Sequence, residues 1–206
     1  MEEKIKINKG LIEKYPFLIP RNVETGEVVE GYDYTYNKLE ASIPEGWWNA
    51  WGEKWCEDLL SVCKQNNIDP KEIRINQSKE KYGSLRVYLS GYPKGWDEHE
   101  FAWDYISQHT CINCGKFPVP MRDDGWMSPY CGECFQKFHK DADEEKLRKW
   151  TYKFDGRPME FIGYFSLDKN DKEKHIVDMK PYYEMIGYKG ELNPGLDPET
   201  EYDEEL

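Results

Sequence analysis

Long apolar runs are missing from this sequence. No stretch approaches the roughly 20 consecutive apolar residues of a membrane-spanning helix, so an integral membrane protein is not expected. Basic residues are scarce: 28 Lys and Arg stand against 40 Asp and Glu, for a net charge of −12. That balance excludes an overall electrostatic attraction to nucleic acid, because phosphate binding draws on basic surface and counterion release. Only a local patch could supply it. The motifs of common enzyme classes are absent too. There is no HExxH, no phosphate-cradling glycine loop, no GxSxG and no paired His-carboxylate spacing. Acids such as Asp33, Asp123 and Asp124 therefore have no companions that would make a catalytic set, and a non-enzymatic protein is expected.

What the chain does have is aromatic mass. Eight Trp and fifteen Tyr in 206 residues can build a core of large flat side chains without covalent staples. The opening MEEKIKINKGLIEKYPFL alternates charge with single apolar residues and lacks the apolar centre of an export signal. The expectation is a cytoplasmic protein whose thiols stay reduced, where paired CxxC motifs read as metal or catalytic sites before disulfides.

Along the chain, YPFLIPRNVETGEVVEGYDYTY carries prolines and a Thr-Gly break, and predicts an extended arm or loose hairpin. Trp47, Trp51, Trp55, Leu59 and Val62 or Cys63 recur at helical spacing and predict a Trp-rich helix with its indoles in the core. Cys56 and Cys63 lie seven residues apart on it, about 10.5 Å along the axis, too far to share one ion, and are expected as buried thiols. Ile73 and Ile75, then Leu85, Val87 and Leu89, alternate with polar residues around Lys81-Tyr82-Gly83 and predict a hairpin. Its outer face would show Arg74, Lys79, Lys81 and Arg86, a cationic strip in an acidic chain. A second helix is expected over Asp97–His109, a third over FQKFHKDADEEKLRKW (residues 135–150), and two late strands in MEFIGYF and HIVDMKPYYEMIGY around a turn at Asp168–Asp171. From Glu191 onward the chain holds seven acids and no base, which predicts a tail without fixed structure.

Four of the six cysteines fall in CINCGKFPVPMRDDGWMSPYCGEC, as Cys111-x2-Cys114 and Cys131-x2-Cys134. Each CxxC can turn tightly enough to present two thiolates to one ion, and two such knuckles complete a tetrahedron. Gly115 and Gly132 sit where such turns often need a left-handed backbone. A redox site would need only one pair, so structural zinc on all four cysteines is the expectation. A closed site leaves no position for a water nucleophile. His109 and His139 flank the pairs as substitutes or outer contacts, and are expected mainly as surface histidines.

The run YPFLIPRN…TGEV…YDYTYNKL…PEGW, then KEKYGSLRVY, then ISQHTCINCGK…GWMSPYCGEC resembles a group of small zinc-knuckle proteins encoded by bacteriophages and prophage regions of gut and other Gram-positive bacteria. The match covers roughly residues 15 to 135. It implies an accessory protein of a mobile element, at work in the cytoplasm of a bacterial host. The composite expectation is an α+β fold: a small mixed domain with β-hairpins, a Trp-rich helix and an inserted zinc-ribbon or treble-clef-like module. Its parts would be an N-terminal α+β region (1–95), the knuckle module with flanking helices (96–150), a C-terminal strand pair (151–190) and the acidic tail (191–206). Function is expected through binding a host protein, with a nucleic-acid-targeting defence complex such as a CRISPR effector as the candidate. The alternative is a nucleic-acid-binding zinc ribbon using Arg74, Lys79, Lys81, Arg86 and Arg122.

Overall fold

The computed structural model describes residues 1–123, 125–139, 154–166 and 173–194. Within them, the indole stripe winds as its spacing predicts. Helix α2 (Glu45–Trp47) passes through a π turn (Trp48–Gly52) into α3 (Glu53–Gln65). Trp47, Trp51 and Trp55 are fully buried along it. Within the widened turn the Trp48 ring lies over Gly52, where a Cβ would sit 2.2 Å from an indole carbon, so only glycine fits there. Past the π turn, α3 buries Cys56, Leu59, Val62 and Cys63. Burial pushes both thiol pKa values up, so these cysteines are inert core residues.

The predicted hairpin forms from β1 (Arg74–Lys81) and β2 (Ser84–Ser90), antiparallel from Arg74 opposite Ser90 to Lys81 opposite Ser84, with a bulge after Ile75. Tyr82 and Gly83 make the two-residue loop with φ of 54° and 74°, the paired left-handed conformation that matches strand twist. Ile75, Leu85 and Val87 face the core. Helix α4 (Trp96–Gln108) runs beside β2, and the Leu85 N–H donates to Ser107 Oγ at 2.8 Å, which satisfies an edge group that a two-stranded sheet would leave open.

The N-terminal expectation needs correction. Glu2–Lys14 is a helix, α1, followed by a short 3-10 turn at Pro16–Leu18. Only beyond it is the arm irregular, with a single bridge between Arg21 and Val28. At the other end β5 (Phe161–Phe165) pairs with β6 (Lys174–Asp178), but the second predicted strand stops there. Lys180–Met185 is a helix, α6, with Pro181 in its first turn, a position where its missing N–H costs nothing. The tail is held further than expected: Glu160 N–H donates to the Asn193 carbonyl at 2.7 Å, and Asn193 N–H to the Pro158 carbonyl at 2.9 Å. The Asp168–Asp171 turn and residues 195–206 lie outside the described residues.

One buried cluster joins these elements, drawing Tyr15 and Leu18, the three indoles, Val87, Trp103, Ile162 and Val177 into the same core. No helix among the described residues is long and apolar enough to cross a membrane.

Candidate metal centre

The cysteine module follows the order knuckle, hairpin, helix. The first knuckle, Cys111 to Cys114, is closed by Gly115 N–H donating to the Cys111 carbonyl and by Cys111 N–H donating to the Lys116 carbonyl, both at 2.9 Å. Strands β3 (Met121–Asp123) and β4 (Met127–Pro129) pair antiparallel. Cys131 then caps the short helix α5 (Gly132–Phe138), its Sγ accepting the Cys134 N–H at 3.4 Å. The third predicted helix thus begins at Gly132, three residues early, and its described part ends at Phe138; residues 140–150 lie outside the described residues. Gly115 has the left-handed backbone expected of it, φ 75°. Gly132 does not, because it occupies the first helical position.

All four Sγ atoms lie within 4.8 Å of one another, and Cys114 Sγ is 3.6 Å from Cys131 Sγ. Bonded sulfurs would be about 2.05 Å apart, whereas the edge of a tetrahedron with metal–sulfur bonds near 2.3 Å is about 3.8 Å. The spacing fits four ligands around one ion. Burial opposes ionisation of Cys111, but backbone N–H groups of Cys131, Cys114 and Asn113 outweigh it and pull its pKa down to about 7. Cys114 and Cys134 are pushed up, by burial first and then by hydrogen bonding among the crowded sulfurs. Four sulfurs this close cannot all carry charge unless a cation sits between them, so the group can hold one metal ion, and binding it would release protons.

No protein-family model matches this chain, and no curated protein and no solved structure matches it. The assignment therefore rests on the geometry of the chain itself.

The structure also explains how the knuckle is placed. Trp47 Nε1 donates to the Thr110 carbonyl at 2.8 Å and Trp51 Nε1 to Thr110 Oγ1 at 3.0 Å, so two core indoles grip the residue before Cys111. Gly46 N–H donates to the Ile112 carbonyl at 2.9 Å, and a Cβ on Gly46 would sit 2.4 Å from the Cys111 carbonyl oxygen. Sequence reasoning assigned the indoles to the core and missed this second role. The "PEGW" turn, which brings a glycine before a tryptophan, was its one visible sign.

Neither flanking histidine joins the sulfurs, and neither is a plain surface residue. His109 stacks on Tyr105 at 4.4 Å, its Nδ1–H donating to the Tyr105 carbonyl; burial pushes its pKa down, which keeps the ring neutral. His139 stacks on Phe135 at 4.6 Å. A His-carboxylate contact does exist: His99 Nδ1 lies 2.9 Å from Asp58 Oδ2, which also accepts from Trp103 Nε1. It joins residues 41 positions apart and sits among Trp96, Trp103 and Tyr182, as packing with a polar seam.

The five predicted contact cations take different places. Lys79, Lys81 and Arg86 share the outer face of the β1–β2 hairpin, since Lys79 stands opposite Arg86. Arg86, however, pairs with Asp104 at 2.8 Å. Arg74 lies at the far end of β1, about 23 Å from Lys81 at the usual strand rise. Arg122 belongs to the cysteine module, donating to the Tyr130 carbonyl at 3.2 Å with its guanidinium over Phe135. At the hairpin tip, the Tyr82 ring lies tilted against Trp126 of the β3–β4 loop with ring centres 5.3 Å apart, and both are more than half exposed. This exposed aromatic pair escaped sequence reasoning because it forms across two hairpins.

Proposed function

We propose that Cys111, Cys114, Cys131 and Cys134 hold a structural zinc ion and that the protein acts by binding, as a mobile-element accessory protein whose target is a host protein. Zinc suits a tetrahedral set of four thiolates, and a set closed by protein sulfurs offers no open position for chemistry. The observation that carries the binding role is the Tyr82–Trp126 pair. Tyr82 is held at φ 54°, a conformation costly for a large side chain, at the tip of a hairpin buttressed by the cysteine module, where Gly83 packs against Met121 and Pro129. Exposed aromatics on a rigid support are the usual anchors of protein interfaces. Lys81 lies over the Tyr82 ring, and Tyr88 is half exposed beside Gln77 and Lys79.

The resemblance of residues 15–135 to phage-encoded proteins points to a bacterial defence complex as the target, and an acidic chain suits the basic channel of a nucleic-acid-targeting effector. Direct nucleic-acid binding is the weaker reading, because Arg86 and Arg122 are engaged internally. The test adds the purified zinc-loaded protein to a panel of purified defence nucleases, RNA-guided effectors included. Inhibition or complex formation with one of them, lost in Tyr82→Ala/Trp126→Ala at unchanged zinc content, is the expected result. Tight binding to DNA alone that disappears in Lys79→Ala/Lys81→Ala, with no nuclease affected, would replace this reading by the nucleic-acid one.

A further inference from the structure

On the N-terminal side of the molecule, sharing no residue with the cysteine module, a cleft of about 500 Å³ opens between α1, the 3-10 turn and the irregular arm. Its apolar wall is Ile12, Pro16 and Ile19, and its cations are Lys9, Arg21 and Lys71, with Glu13 the one acid. Arg74 lies close by, because its guanidinium rests against Gly26, whose carbonyl accepts from Arg21 Nη1 at 2.9 Å.

Two features set this cleft apart from ordinary surface. The first is the sign of its charge: three of its four charged lining residues are cations, in a chain where acids outnumber bases 40 to 28. Among the described residues, Lys9, Arg21, Lys71 and Arg74 make no ion pair, in a chain with 40 acids to offer. Lys9, Arg21 and Lys71 thus line one opening, with Arg74 nearby, and present cationic donors to an anion.

The second feature is Tyr34, which lines the cleft at φ 64° with Lys9 Nζ 5.2 Å from its ring centre. A left-handed tyrosine is costly, and the surrounding structure over-determines it. Its carbonyl accepts from Asn8 Nδ2 at 2.9 Å, and Asn8 Oδ1 accepts in turn from Asn37 Nδ2 at 3.1 Å. Both asparagines are completely buried. Asn8 comes from α1, the helix that also supplies Lys9, Ile12 and Glu13, so a buried amide pair fixes the ring and the cations in one frame. Backbone strain that the surrounding structure over-determines clusters at ligand-binding positions and motivates a functional reading of this one.

We infer that this cleft binds a small phosphate-bearing molecule, with its phosphate on Arg21, Lys71 and Lys9 and its flat or apolar part between Tyr34 and the Ile12–Pro16–Ile19 wall. The arginine fork suits phosphate oxygens, the volume lies in the range of small-ligand sites, and the division into a charged end and an apolar wall fits a mononucleotide better than an inorganic ion.

The test is calorimetric titration of the full zinc-loaded chain with ATP, AMP, inorganic pyrophosphate and adenosine, and with a short single-stranded oligonucleotide. Saturable one-site binding of ATP or AMP is expected, with adenosine much weaker. Arg21→Gln/Lys71→Gln should weaken nucleotide binding at least about tenfold. Tyr34→Gly, which a left-handed backbone accepts without strain, should weaken AMP while leaving pyrophosphate nearly unchanged. Lys79→Gln/Lys81→Gln, on the far hairpin, should change nothing. Failure of every phosphate probe to bind at about 1 mM would overturn the inference, and so would an equal loss in the hairpin variant. Oligonucleotide binding that outcompetes nucleotide and ignores Arg21 and Lys71 would do the same.

Discussion

Thr110 is one side chain with two bonds, accepting from Trp51 Nε1 and donating to the Ile106 carbonyl at 2.7 Å, while its own carbonyl takes the Trp47 indole. Thr110→Val should leave a buried indole N–H without an acceptor and cost about 1–3 kcal/mol in urea unfolding, whereas Thr110→Ser should keep most of that stability. The cysteines divide just as sharply. Serine at any one of 111, 114, 131 or 134 should lower bound zinc well below one equivalent by mass spectrometry, because three thiolates leave a ligand position to water. Serine at 56 or 63 should leave zinc content unchanged. The four-cysteine cluster was readable in the sequence because each pair is local and the spacing alone brings the sulfurs together. Thr110 was not, since its indole partners are 63 and 59 residues away and a threonine before a cysteine carries no pattern.

Among the elements, the groove between β2 and α4 holds a consequence of burial. Glu100 and Asp104 sit one turn apart on α4 and line the groove with Arg86, Tyr92 and Phe101. Burial raises the pKa of Glu100 even though Tyr92 OH donates to it at 2.8 Å, with Asp104 and Asp97 adding repulsion and Arg86 opposing it. A carboxyl whose folded pKa is raised favours the native state while protonated and penalises it once ionised, so its cost appears as pH climbs past the ordinary carboxylate range. Glu100→Gln is therefore expected to raise the melting temperature at pH 7 and to make little difference below about pH 4, measured by thermal scans across that range. Elements themselves were legible where apolar period and turn chemistry agreed, as in the Trp helix and the β1–β2 hairpin. Helix α1 was hidden because its inner face uses Asn8 between Ile5 and Ile12, a buried amide that breaks the apolar stripe. In α6, the β-branched run before it carried the strand reading too far, past the Pro181 that marks a helical first turn.

For the whole molecule, the buried cluster spans from Ile12 to Tyr183, and Asn193 ties the chain's late segment to Pro158 and Glu160. A chain ending at Pro194 should melt like the 206-residue chain, since the removed stretch holds only Leu196, Tyr202 and Leu206 as large apolar residues. Ending at Gly190 should lower the midpoint by several degrees, because two backbone hydrogen bonds are lost. The stack of indoles has an optical consequence. Trp47 and Trp51 lie 5.7 Å apart and Trp51 and Trp103 5.6 Å, close enough for their excited states to mix, and two of those rings are bonded to the residue that leads into the first knuckle. Metal removal should therefore change the exciton signal in circular dichroism and the colour of the fluorescence, so that the protein carries its own spectroscopic gauge of whether the sulfurs are filled.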